Sequence, residues 1–266
     1  MNLQTLKYIV LFIVVLIFFS CDHKESKQSK KQYQQTLVFE DVGTDNWRKN
    51  WTLDGLMATV TNTKAGMEFK AGNTYMNDSC HAVLWTRQVF KGNIKINYEY
   101  TRTDTVTRCV TILYFLASGK GTADFPKDIS EWKSKRTVPK MSLYFEHMHA
   151  YHISYAAFSA KEYSKDKDYI RLRKYDPKKQ GLEGTDILPD YFNTQLFKPY
   201  TTYLIEVVKS NDYITMSIKN KRDISDTLHC KWNIKNTPNL TSGSIGFRHM
   251  FTRSAIYKNI QVWRID

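Results

Sequence analysis

The chain is short of the residues that build metal centres and disulfide scaffolds. It has four cysteines in 266 residues, and none sit at the close paired spacing that grips zinc. Three of them, Cys80, Cys109 and Cys230, lie in the body of the chain. That odd number leaves room for one disulfide but implies no framework, and they read as small core residues. No P-loop, dinucleotide fingerprint or serine-centred elbow occurs. Nor does any Glu-x-Asp-x-x-Glu strand, on which a retaining glycosidase of the laminarinase type would set two carboxylates ~5 Å apart. No 20–50-residue period recurs, which argues against propellers and solenoids. After residue 20 no stretch keeps a helical apolar period over a useful length.

Acidic residues are also scarce: 26 Asp and Glu stand against 39 Lys and Arg, a net charge of +13. Such a balance suits nucleic acid, anionic headgroups or acidic polysaccharide. No nucleic-acid motif accompanies it, and the lysines are scattered as on a solvated surface. The preferred partner is therefore an anionic poly- or oligosaccharide. Nothing in the sequence asks for a cofactor.

The N-terminus has its own logic. Lys7 precedes the apolar run 8–19, which ends at Ser20-Cys21. A basic start, a short apolar core and a small residue before cysteine read as a lipoprotein signal over residues 1–20. A transmembrane anchor is the alternative, but the run is shorter than the roughly 20 residues a span needs. Cys21 is the expected lipidation site, and acyl chains worth ~0.8 kcal/mol per buried CH₂ would be the protein's only membrane attachment. The expected location is the bacterial cell envelope, on the periplasmic or surface face of the outer membrane. Residues 21–35 are polar, lysine-rich and without aliphatics after the cysteine, so they form a tether. Residues 36–266 then make one folded domain.

In that domain strands follow one another, separated by turn signals such as Lys91-Gly-Asn93 and Thr241-Ser-Gly243. About a dozen of them imply an all-β sandwich. Alternation layers them. Ile94, Ile96, Tyr98 and Tyr100 share one face, with Lys95, Asn97 and Glu99 opposite. The stretch 110–116 is apolar on both faces, as a strand under extra cover would be. Residues 122–145 and 176–199 break the pattern and read as site walls, the first holding a short helical turn near Asp128–Trp132. In the stretch 150–158, Ile153 and Tyr155 face the core, while His152 and Ser154 form a polar floor on the other side.

The segments Lys135-Arg-Thr137, His152-Ile-Ser-Tyr155, Leu172-Arg-Lys174 and Gly246-Phe-Arg-His-Met250, in that order, resemble the YesU-type family, a bacterial group of unknown function. Trp85, Glu99, the strand end 113–119 and Ala255-Ile-Tyr257 fit it too. The similarity spans residues 82–262. It implies a concanavalin A/galectin-like jelly roll of two antiparallel sheets, found in gene clusters for pectin and other acidic polysaccharides, and no established reaction. A more distant resemblance is to 3-keto-glycoside lyase/hydrolase domains.

The leading expectation is a lyase or hydrolase acting on uronate-containing glycans. Proton abstraction beside a carboxylate needs a base and a cation. His152 suits the base, Glu99 its orienter or the acid, and Arg173 the carboxylate clamp. Arg171, Arg248, Ser154, His149, Trp85 and Tyr144 are expected to bind substrate, the two aromatics as sugar platforms. His147 and His149 would share a strand face and could chelate a metal. His152 has the opposite parity, so a binding-loop role is preferred and no metal is expected. The alternatives are a non-catalytic glycan-binding lipoprotein and an envelope scaffold.

Overall fold

A computed structural model describes residues 34–158, 168–179 and 181–266. The signal segment, Cys21 and nearly all of the tether lie outside the described residues. In chain order the strands are β1 (Gln35–Asp41), β2 (Trp51–Asp54), β3 (Thr59–Thr63), β4 (Gly66–Lys70), β5 (Ala82–Thr86), β6 (Phe90–Lys91), β7 (Asn93–Arg102) and β8 (Cys109–Gly119). One α-helix follows, α1 (Met141–His147). Then come β9 (Met148–Phe158), β10 (Tyr169–Tyr175), β11 (Asp186–Phe192), β12 (Thr202–Lys209), β13 (Tyr213–Asn220), β14 (Thr227–Asn233), β15 (Ser242–His249) and β16 (Ser254–Ile265).

These strands form two antiparallel eight-stranded sheets. One runs β14-β13-β12-β7-β16-β4-β3, with β1 also paired to β16; the other runs β11-β10-β9-β8-β15-β5-β2, with β6 also paired to β15. The jelly-roll sandwich expected from alternation is therefore present. Ile94, Ile96, Tyr98 and Tyr100 of β7 meet Leu113, Ile153, Tyr155 and Phe247 of the facing sheet in one buried core. Burying each such side chain contributes ~1.5–3 kcal/mol, which fixes the register of both sheets. The core carries hydroxyls as well. Tyr257 packs face to face with Phe247 at 4.2 Å and shares a 2.8 Å hydrogen bond with Nε2 of His249. Cys80, Cys109 and Cys230 are buried and unbridged.

A second apolar cluster lies on the outer face of the β8–β9–β15 sheet. Ile112, Tyr114, Ala150 and Trp85 pack there beneath Ile129, Trp132 and Tyr144 of the excursion that ends in α1. This cover accounts for the doubly apolar β8. The helical turns of the excursion fall later than expected, at Lys133–Arg136 and in α1. Among the described residues no helix is long and apolar enough to cross a membrane.

Candidate functional site

His152 stands on the non-core face of β9, as alternation requires, but that face is not open. The residue is 1% exposed. Its Nδ1 lies 2.6 Å from the Tyr175 hydroxyl and its Nε2 2.7 Å from Ser154 Oγ, so both ring nitrogens are engaged. Burial holds its pKa well below the usual histidine value, and the Arg173, Arg248 and Arg171 guanidiniums push it the same way. The expected solvent-facing base is corrected on that ground.

The cover is locked down by one carboxylate. Oδ2 of Asp54, at the end of β2, accepts from Arg136 Nε at 2.6 Å, Trp85 Nε1 at 2.7 Å and the Tyr144 hydroxyl at 3.1 Å. Arg136 also donates to the carbonyl of Ile129 and lies over the Trp132 ring. Trp85 and Tyr144 are fully enclosed, stacked at 6.3 Å, with Tyr114 against both. Neither can serve as a sugar platform. Arg248 is buried beside them. Its Nη2 donates to His81 Nδ1 and the carbonyl of Pro139, and its guanidinium lies 4.6 Å from the centre of the Tyr144 ring.

The other expected groups are dispersed. Glu99 belongs to β7, in the opposite sheet, where it pairs with Lys221 at 2.8 Å. It cannot orient His152. Arg173 faces His152 across the β9–β10 ladder, yet its Nε lies 2.8 Å from Asp186 of β11. Arg171 is held by Asp190 through Nε and Nη2. Both arginines are thus ion-paired with carboxylates of their own sheet, Arg171 through hydrogen bonds from Nε and Nη2 and Arg173 through its Nε contact alone. His147 is the last residue of α1 and stacks on Phe125 at 3.8 Å, so strand alternation does not reach it and the expected shared face with His149 is absent. Ser154 is closed in with His152.

His149 has a different setting. It lines a cleft of about 620 Å³ at one end of the sandwich, within the roughly 300–1,000 Å³ of small-molecule sites. The floor is the β8 end against the β15 start, where backbones approach too closely for side chains. A Cβ on Gly119 would fall 1.8 Å from the Pro126 carbonyl oxygen, and one on Gly243 2.2 Å from the carbonyl carbon of Leu116. Lys120, Lys127, Lys174 and Lys178 line the walls against only Asp128 and Asp176. Ser118, Asn239, Thr241 and Ser242 add hydroxyl and amide groups. Partial burial lowers the pKa of Lys174, Asp176 opposing. Burial likewise lowers that of His149, with Asp176 again opposing and neighbouring lysines adding to the shift. The cleft offers cations and neutral hydrogen-bonding groups to an anionic, hydroxyl-rich ligand. Of the residues expected from sequence His149 lines this cleft; the lysines, from the two stretches 120–127 and 174–178, were not among them. Their only signal was the general basic excess.

Three comparisons bear on this architecture. A family model described as "Domain of unknown function (DUF1961)" matches residues 36–262. The chain is 24% identical over 195 residues to the uncharacterized protein YesU of Bacillus subtilis (strain 168), covering 71% of this chain and 80% of that one. A crystal structure from Bacillus subtilis, described as a protein of unknown function with a galectin-like fold, superposes with a TM-score of 0.62 at 18% identity, over 88% of this chain and 98% of that one. Lectin II from Ulex europaeus superposes with a TM-score of 0.53 at 8% identity, over 86% and 97%. These likenesses show the galectin-like fold.

Proposed function

Since the chain belongs to the DUF1961 family, whose function is unknown, we propose from its own geometry that it is a glycan-binding module taking an anionic, uronate-type oligosaccharide in the cleft at the end of the sandwich. One observation carries the reading: four lysines and His149 converge on a cleft of about 620 Å³ that also presents hydroxyls and an amide. Lysines give point-charge attraction to carboxylates without fixing one linkage, and the neutral groups can bridge sugar hydroxyls. The sequence features of residues 1–35 support lipid attachment at Cys21 and a location on the bacterial cell envelope, where a tethered domain could capture polysaccharide fragments.

A catalytic reading has one observation in its favour. Ser154, His152 and Tyr175 form a hydrogen-bonded line in the order nucleophile, base and orienter. Their enclosure under α1 weighs against it, as does the location of Glu99 on the other sheet. Isothermal titration with oligogalacturonate, run beside absorbance and reducing-end assays, separates the two. Saturable binding without product supports the module. Turnover with new unsaturated uronate or reducing ends supports the lyase or hydrolase.

A further inference from the structure

The opposite sheet carries its own hollow, and nothing in the cleft reading uses it. On the outer face of the sheet containing β7, β12 and β13, side chains fall in rows set by the register. Asn97 stands beside Glu206 and then Ser217; Glu99 stands beside Leu204 and then Lys219. The two rows line a depression of about 310 Å³. One wall is a β-bulge in β16, where register is lost between Lys258 and Gln261. Asn259, in the bulge at φ 50°, adopts the left-handed conformation that asparagine tolerates. Its Nδ2 reaches over to donate to Glu99 Oε1 at 3.0 Å. Lys221 Nζ holds both oxygens of the same carboxylate, at 2.8 and 2.9 Å.

Glu99 is therefore fixed in place, its acceptor capacity only partly used. Asn97 lines the hollow as well, its Oδ1 turned away from solvent and without a hydrogen-bond partner, and its Nδ2 makes no hydrogen bond among the described residues. Among the described residues the side chains of Glu206 and Lys219 make no hydrogen bond or ion pair. Leu204, more than a third exposed, supplies an apolar floor. Among the lining residues two carboxylates, Glu99 and Glu206, stand against one ammonium group, Lys219, so the hollow's lining has no cationic excess to select an anion.

We propose that this hollow is a second carbohydrate site, specific for one uncharged pyranose ring bearing adjacent hydroxyls. Glu99 and Glu206 accept from ring hydroxyls, Asn97 Nδ2 and Lys219 donate, and Leu204 packs against ring C–H groups. The volume, at the low end for small-molecule sites, suits a single ring rather than a chain. With the lysine-lined cleft for an anionic ligand elsewhere on the domain, the protein would grip one glycan, or two, through unlike sugars.

The test is amide chemical-shift mapping on the purified full chain with methyl glucopyranoside, galactopyranoside and mannopyranoside, titrated to tens of millimolar. At least one should shift amides of β7, β12 and β13. Asn97→Ala and Glu206→Gln should each weaken that binding by at least ~5-fold, the value of about one lost hydrogen bond. Because Glu206 is exposed, its variant keeps the fold and the test stays decisive if Asn97→Ala does not fold. The double variant Lys174→Ala/Lys178→Ala should leave binding here unchanged, which separates this site from the cleft. No shift on these strands with any of the three sugars, or affinity unchanged in Glu206→Gln, overturns the proposal.

Discussion

Nδ1 of His152 lies 2.6 Å from the hydroxyl oxygen of Tyr175, one strand away and equally buried. With Ser154 on the other ring nitrogen, the imidazole joins β9 to β10 beneath the α1 cover. Its replacement should therefore act on stability. His152→Ala leaves the buried Ser154 hydroxyl without its partner and Tyr175 with only its 3.5 Å contact to the Tyr114 hydroxyl, and opens a cavity, a cost of about 2–4 kcal/mol. For a domain of this size that lowers Tm by roughly 5–15 °C. Thermal and urea unfolding check it. An unchanged Tm with loss of a measurable turnover would instead restore the histidine as a catalytic base.

Three enclosed histidines make the fold acid-sensitive. Burial lowers the pKa of His81 and of His249 to about 3, and that of His152 well below its ordinary value. Below pH 6.5 the unfolded chain takes up protons at these positions while the folded chain does not, so stability falls as pH falls. The loss runs from the unfolded value near 6.5 down toward the folded values. It amounts to about 3–4 kcal/mol between pH 7 and 5.5 for the three together. Asp54, whose pKa burial raises against the opposing effect of Arg136, contributes in the other sense. Urea midpoints across this range should fall, and His249→Gln should flatten the slope by about a third. A pH-independent midpoint between 7 and 5.5 would contradict the buried neutral histidines.

Asp54 holds the cover over the second sheet. Asp54→Asn removes the charge opposite Arg136 at a site where both side chains are almost completely buried. Breaking one partner of a buried pair costs about 3–5 kcal/mol. Hydrogen exchange should accelerate through residues 129–147 more than in β7 or β12. Uniform protection after the substitution would mean that the excursion is anchored by packing alone.

Much of this fold was legible from alternation, because strand period and burial are the same signal in a sandwich. Even the extra cover showed in the doubly apolar β8. Two strands did not show. β2 is short, and β11 is an edge strand carrying Pro189 and two aspartates, a composition that disfavours sheet yet is tolerated at an edge. The face of His152 was readable, but its exposure was not. The groups that close over it, Tyr144 and the loop fixed by Arg136, belong to an irregular stretch whose docking position no local pattern encodes. Glu99 and His152 shared the property of lying on a non-core face, and a sandwich has two such faces. The lysines of the cleft meet only because the stretches after β8 and at the end of β10 come together at one rim.

Charge should govern binding in that cleft. Lys174→Ala/Lys178→Ala should reduce affinity for oligogalacturonate at least ~10-fold in low salt, with much less difference at high ionic strength, where exposed charges are screened. Equal affinity at all salt concentrations would point to hydroxyl recognition alone.

Glycan binding without cleavage is best checked by a calorimetric titration of the full chain with a defined oligogalacturonate at low salt, followed by assay of the same mixture for new reducing ends and unsaturated uronate. The expected result is saturable binding at one site, weakened by the lysine substitutions, with the ligand recovered intact. Absence of binding, or recovery of cleaved ligand, would contradict it.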